Sequence, residues 1–413
     1  MTYIPRHVET KVIEAMLDTP IVAIVGPRQA GKSTLAERFI QKKGTHLTFD
    51  DPDILAASIA DPKGLLENLE KPILIDEIQR NPLILPVIKA IVDQNRAPGF
   101  FILTGSANLL TLPKITESLA GRVEIIELLP FSQAELNQAP KKILDSIFEL
   151  KLENNRLYPS IDLLPILIKG GYPETQNRVP KRVVSWLKSY IKSIVQRDIK
   201  EVFDINKTQE LNQMLKVLSA YNAGLISANG ISKKVSLDHK TVSKYIAALE
   251  NTYLVREIPT WSKNELSRTT KQKKINFIDS GLLCALKGIT IEKANKDRNL
   301  IGNLFESFVF SELLKMANSS DEDYTFYHYR DARKNEVDLI VENSFGDAIG
   351  IEIKSTKTAS AELFKGLNRI NAQIKLRASV VIYSGEKLLS FGENRWVIPI
   401  GFVTHGNLKT ILT

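Results

Sequence analysis

The chain has a single cysteine, Cys284, among 413 residues. One thiol cannot form an intramolecular disulfide, and it excludes a Cys-based zinc site. The five histidines are scattered without ligand spacing. Long apolar runs are missing too. The longest candidate, 163–168, is short and broken by Pro165, far below the ~18 residues of a membrane helix. The first residues, Met1-Thr2-Tyr3-Ile4-Pro5-Arg6, carry no apolar stretch of signal-peptide length. These absences lead to the expectation of a cytoplasmic protein with no membrane partner. There is no internal repeat and no low-complexity tract. With 43% hydrophobic and 25% charged residues, the composition is that of a globular protein rather than a disordered one. The net charge of +8 permits a nucleic-acid partner without requiring one.

What is present is an α/β pattern. Short β-branched runs at 21–25, 73–75, 100–103 and 123–128 alternate with helical patterns at 32–41 and 83–92. Continuous apolar runs of this kind read as buried parallel strands with helices on both faces. From 131 to 207 the strand signal disappears, and Val183, Leu187, Tyr190, Ile191 and Ile194 recur at helical spacing. From 208 a helix is followed by 226–235, a turn at Ser236-Leu237-Asp238, a helix at 239–249, and strand-like runs at 253–261 and 274–278. The last part shows a helix at 302–316 and strand-like runs at 337–341, 349–353 and 379–383. The expected division is an α/β core over 1–130, a helical lid or connector over 131–207, a winged helix over 208–283 and an α/β domain over 284–413. Trp186, Trp261 and Trp396 are expected in the core.

The sharpest motif is Gly26-Pro27-Arg28-Gln29-Ala30-Gly31-Lys32-Ser33-Thr34. It follows a strand and opens a helix, the context a phosphate-binding P-loop requires. Its glycines let the backbone wrap phosphate, and its N–H groups point at the anion. Lys32 is expected on the β- and γ-phosphates of ATP and Ser33 on Mg²⁺. The strand Ile73-Leu74-Ile75 ends in Asp76-Glu77. Asp76 suits a Mg²⁺ contact, and Glu77 suits activation of the attacking water. A third strand ends in Thr104-Gly105-Ser106, and either hydroxyl could sense the γ-phosphate. Arg122 lies where an arginine finger would stand, often serving a neighbouring subunit and so implying a homo-oligomer.

These motifs, with Gly170-Gly171-Tyr172-Pro173-Glu174, Gln196-Arg197-Asp198-Ile199 and Phe277-Ile278-Asp279-Ser280-Gly281-Leu282, resemble a large prokaryotic family of AAA-like ATPases with a C-terminal domain of unknown function. The resemblance implies an AAA-type core, a winged helix and a restriction-endonuclease-like C-terminal fold, with no known substrate.

On the winged-helix candidate, Lys233, Lys234, His239, Lys240 and Lys244 fall near or on the second helix. Lys263, Arg268, Lys271, Lys273 and Lys274 fall on the expected wing. Such groups would meet DNA phosphates with little sequence preference. Toward the C-terminus, Asp338 lies on one strand, Glu352 and Lys354 two apart on the next, and Glu306 on the preceding helix. This resembles a nuclease pattern in which carboxylates hold Mg²⁺. The leading expectation is a weakly hydrolysing ATPase coupled to a DNA-acting module. The rivals are an ATP-controlled, Mg²⁺-dependent DNA nuclease and a nucleotide-bound interaction switch without turnover.

Overall fold

The computed structural model describes all residues except 1–2, 41–42, 107–118, 200–207, 227, 265–267, 269–271, 298, 332, 372–373, 393 and 407–413. Contacts divide the chain into two units, Met1–Pro130 with Asn251–Tyr253, and Phe131–Glu250 with Leu254–Thr413.

In the first unit, β1 (Ile21–Val25), β2 (Thr45–Thr48), β3 (Ile73–Asp76), β4 (Phe101–Gly105) and β5 (Val123–Glu127) form a parallel sheet in the order β2-β3-β4-β1-β5. Every residue of β1 is buried. Ile21, Ala23 and Val25 enter one apolar cluster, while Val22 and Ile24 enter another. The alternation of a strand thus fills a core on each face. β2 has only one buried residue, Leu47, and escapes detection as an apolar run. Because β4 lies between β1 and β3, the carboxyl ends of three strands meet at one edge. That is where open parallel sheets bind ligands.

The second unit holds a seven-stranded mixed sheet and a three-stranded antiparallel one. The larger sheet contains β6 (Arg156–Leu157), β10 (Tyr324–Arg330), β11 (Glu336–Asn343), β12 (Ala348–Lys354), β13 (Ala378–Tyr383), β14 (Lys387–Ser390) and β15 (Arg395–Pro399). The smaller one is β7 (Leu225–Ile226), β9 (Lys273–Phe277) and β8 (Val255–Ile258), in that order. β7 follows the helix Thr208–Ala220, and β8 and β9 follow the helices Ala228–Val235 and His239–Asn251. Asp238 accepts from Thr241 N at 3.0 Å, which caps the last of these.

The segment after residue 130 is built into this second unit. β6 pairs with β14. Lys315 Nζ donates to Phe131 O at 3.1 Å, and Gln133 N to Glu312 at 2.6 Å. Tyr324 OH and Ser320 Oγ both donate to Asp145, at 2.9 and 2.6 Å.

Two glycine motifs far apart in sequence also interlock here. Asp279 is fully buried, caps helix Ser280–Lys287 through Gly281 N and Leu282 N, and accepts from Gly171 N at 2.7 Å. Gly170 has φ 63°, and a Cβ there would stand 2.1 Å from Asp279 Oδ1. The three tryptophans expected in the core are only half-buried. Trp186 stacks on Tyr190, and Trp261 Nε1 donates to Glu342 at 2.8 Å.

Candidate functional site

At the carboxyl edge of the parallel sheet, the loop 26–31 carries positive φ at Gly26 (152°), Gln29 (59°) and Gly31 (97°). A Cβ at Gly26 would lie 2.1 Å from Leu128 O, so no side chain fits there. Alternating backbone handedness of this kind turns successive N–H groups into one concavity, a fit for phosphate oxygens. Lys32 is buried and its ammonium donates to Pro27 O at 2.9 Å, within the loop itself. Ala30 is buried, Arg28 and Ser33 are half-buried, and Gln29 and Thr34 are exposed.

Ser33 Oγ lies 2.9 and 3.0 Å from the two oxygens of Asp76. A hydroxyl and a carboxylate side by side are hard oxygen donors, which suit Mg²⁺. Thr104, fully buried, donates to Asp76 and accepts from Glu77 N at 3.3 Å. The sequence left Thr104 and Ser106 equivalent, and the structure separates them. Thr104 touches both acidic positions, whereas Ser106 reaches them only through Gln79. The Gln79 amide donates to Ser106 Oγ at 3.0 Å and to the Glu77 carboxylate. Glu77 itself holds a left-handed backbone, φ 58° and ψ 45°, a strained state for a non-glycine residue that clusters at functional sites.

Two residues that sequence reasoning passed over belong to this region. Gln79 is one. The other is Arg6, buried, whose guanidinium donates to Ala30 O at 2.9 Å and Leu129 O at 2.6 Å. An arginine far before the motif gives no local signal of that contact.

Arg122 is not brought to this edge. It precedes β5, and its carbonyl accepts from Ile21 N at the opposite end of β1. Five residues of strand place it about 16 Å from the loop. Its guanidinium pairs with Asp93 at 2.5 and 3.0 Å. The pair raises the arginine and holds the aspartate below its ordinary range. In this chain Arg122 therefore stands in an ion pair with Asp93, away from its own phosphate-binding loop.

In the second unit, Lys233, Lys240 and Lys244 are exposed. Lys271 lies outside the described residues. The wing lysines differ from expectation. Lys273 pairs with Glu257 at 2.5 Å, and Arg268 forks onto Glu342 at 2.9 and 3.2 Å. Lys274 is 1% exposed, with Nζ 3.2 Å from Glu306 and 3.1 Å from Glu336. A buried ammonium cannot reach a phosphate backbone, so Lys274 is removed from the DNA-contacting set.

The C-terminal residues do come together. Lys354 Nζ lies 2.6 Å from Glu352 and 3.5 Å from Asp338, and Asp338 also accepts from Ile353 N at 2.8 Å. Burial, with the Asp338 charge second, pushes Glu306 up to about 7 and Glu352 up to about 8. Glu306 meets the Lys274 ammonium, and Glu352 meets the Lys354 ammonium and the Asp338 carboxyl. Among the described residues no three acids, histidines or cysteines are grouped to hold a metal ion. The cluster as it stands does not fit Mg²⁺, and the expected metal role of Glu306, Asp338 and Glu352 is corrected accordingly.

Three stretches of the chain match protein families. Residues 18–137 match the AAA domain family. Residues 161–293 match a domain of unknown function, DUF8612, and 301–403 another, DUF4143. An uncharacterized protein of Mycobacterium tuberculosis (strain ATCC 25618 / H37Rv) is 28% identical over 98% of this chain and 86% of its own. One of Haemophilus influenzae is 26% identical over 74% of this chain and 77% of its own. Among solved structures, the chain is similar to a Walker-type ATPase of Pyrococcus abyssi. That match covers 69% of this chain and 96% of the other, at TM-score 0.43 and 13% identity. Among the described residues no helix is long and apolar enough to cross a membrane.

Proposed function

This chain carries an AAA-type P-loop domain ahead of a DUF4143 domain, and on that premise we propose that it binds ATP with Mg²⁺ and hydrolyses it slowly. One observation carries the reading: Ser33, Asp76 and Thr104 form a continuous hydroxyl–carboxylate–hydroxyl chain beside Glu77. Lys32 exchanges its contact with Pro27 O for the β- and γ-phosphates. Ser33 and Asp76 hold the Mg²⁺ that accompanies the nucleotide, which when bound neutralises phosphate charge. Thr104 fixes the Asp76 carboxylate and the Glu77 backbone. Glu77 takes the proton of the attacking water. The Gln79 amide competes for that same carboxylate, which supports slow turnover. Arg122, too far for its own site, would serve a neighbouring copy in a homo-oligomer.

The exposed Lys233, Lys240 and Lys244 support a further step, nonspecific contact with DNA phosphates by the helices 228–235 and 239–251 acting as a winged helix. A second reading, a nucleotide switch without turnover, is favoured by the hold of Gln79 on Glu77.

Nucleotide titration and ATP turnover of the full chain test these readings. Lys32→Ala should abolish ATP binding, and unchanged affinity would refute the site. Glu77→Gln should bind ATP and lose turnover. A wild type without turnover leaves the switch. Mixing Arg122→Ala with Glu77→Gln should restore activity only if the arginine acts in trans.

A further inference from the structure

Arg6 is 6% exposed, and no step assigned so far uses it. Taking a guanidinium out of water is costly, and only donors in use offset that cost. Two of its nitrogens each hold one carbonyl. Nη1 donates to Ala30 O at 2.9 Å, and Nη2 donates to Leu129 O at 2.6 Å. The segment around Arg6 is fixed independently. Arg6 N donates to Glu9 Oε1 at 2.9 Å, and Tyr3 OH donates to the same oxygen. The Arg38 guanidinium stands over the Tyr3 ring, 4.0 Å from its centre. Arg38 ends helix Lys32–Glu37, which the glycine loop opens. Residues 3–9 therefore touch the loop through Arg6 and the far end of its helix through Tyr3.

The two carbonyls border the two glycines that shape the loop. Ala30 O shares a peptide plane with Gly31 N–H, and in a trans peptide the two groups point opposite ways. Gly31, at φ 97°, has no Cβ to restrain the orientation of that plane. Holding the oxygen therefore fixes the direction of the N–H. The positive charge also polarises this peptide, and a polarised N–H is a stronger donor to an anion. Leu129 O lies one residue beyond Leu128 O, the atom that a Cβ at Gly26 would meet at 2.1 Å. One guanidinium thus holds the last peptide of the loop and the segment that walls its first glycine. We propose that Arg6 is a positioning residue of the phosphate site: by holding the Ala30 and Leu129 carbonyls it aims the Gly31 N–H at the phosphates and keeps the two ends of the loop at a fixed spacing. The inference rests on the ATP reading above and deepens it. Arg6 makes no contact with nucleotide in this role, and its charge acts through the Ala30–Gly31 peptide.

The test uses the full chain, with ATP affinity from titration calorimetry and turnover from phosphate release. Arg6→Met keeps most of the side-chain length and removes the donors. A donor that meets phosphate in the ground and transition states alike moves affinity and not the maximal rate. Arg6→Met should therefore lose roughly tenfold or more in ATP affinity, while turnover at saturating ATP stays within about threefold. Arg6→Lys, with one nitrogen in place of two, should fall between Arg6→Met and wild type. Labelling alanine carbonyl carbon and glycine nitrogen selects the amides of Gly31, Gly121 and Gly224, the three glycines that follow alanine. In nuclear magnetic resonance spectra, one of these amides should move downfield when ATP saturates wild type, and none should in saturated Arg6→Met. An Arg6→Met chain that melts lower yet binds ATP as wild type does, or shows the wild-type shift, would overturn the proposal and leave a packing arginine. If Arg6→Met does not fold, Arg6→Lys decides alone, and wild-type affinity in it overturns the proposal. A wild type that binds no ATP, or an undiminished affinity in Lys32→Ala, removes the nucleotide reading itself and this inference with it.

Discussion

Replacing Thr104 by valine removes one hydroxyl and almost no volume. That hydroxyl is fully buried, donates to Asp76 and accepts from Glu77 N. Valine leaves the Glu77 N–H without its acceptor and Asp76 without one donor. A hydrogen bond to a charged group contributes about 1.5–3 kcal/mol. If this amount falls on the placement of Asp76 and Glu77 in the transition state, turnover drops roughly 10- to 150-fold. ATP affinity should stay within about threefold, because Lys32 and the loop backbone are untouched. Thr104→Ser, which keeps the hydroxyl, should recover most of the rate. Ser106→Ala should cost less, since Ser106 reaches Glu77 only through Gln79. Steady-state phosphate release, with affinity measured separately by nucleotide titration, reads both quantities. Wild-type turnover in Thr104→Val, or a larger loss in Ser106→Ala, would refute the division of labour between the two hydroxyls.

Gly170→Ala should destabilise the second unit by roughly 2–5 kcal/mol, because φ 63° with ψ −161° is a backbone state held almost only by glycine and the new Cβ displaces Asp279. Gly288→Ala, at φ 59° with nothing near the new Cβ, should show only the strain, about 1–2 kcal/mol; equal losses by urea titration would dismiss the Asp279 contact. If DNA is bound, Lys240→Gln and Lys244→Gln should each flatten the logarithmic salt slope by about 0.9, while Lys273→Gln should not; the reverse order would return the contact to the wing. Burial pushes the His328 imidazole down to about 4 from an ordinary 6.5. The unfolded chain therefore takes up that proton first, and stability present above pH 6.5 is lost as pH falls toward 4. His328→Asn should show a shallower decline of the urea midpoint across that window, and an unchanged slope would count against His328 as its source.

The nucleotide edge was legible because its signals are local. Gly26–Ser33 and Asp76-Glu77 are short patterns beside apolar runs, and a parallel sheet brings such strand ends together without further information. The choice between Thr104 and Ser106 was not legible, since the two hydroxyls stand two residues apart at one strand end and only the folded geometry shows that Thr104 meets Asp76. Lys274 was misread for a different reason. Among Lys271, Lys273 and Lys274 nothing local marks the one that turns inward, and its partners stand 32 and 62 residues further on. β2 hid because a strand with one buried residue shows no apolar run. The tyrosine-rich β10 hid because its seven residues include no aliphatic side chain. The tryptophans misled because a large ring carrying an N–H settles at the margin of a core, as Trp261 does on Glu342.

The way residues 131–158 thread through the second unit bears on how this chain can be taken apart. A fragment beginning at 284 would look, from its strands, like a free-standing domain. It would lack the strand that covers β14 and the Phe131 carbonyl that receives Lys315. The fully buried Glu312 would lose the Gln133 N–H, and Arg377 the Phe148 carbonyl it reaches at 2.9 Å. A cut at 207 would strand Gly171 without Asp279. Truncation to isolate the acid cluster must therefore keep residues 131–158 with the strands they cover, and a cut between Pro130 and Phe131 still carries along Asn251–Tyr253, which cluster with the first unit.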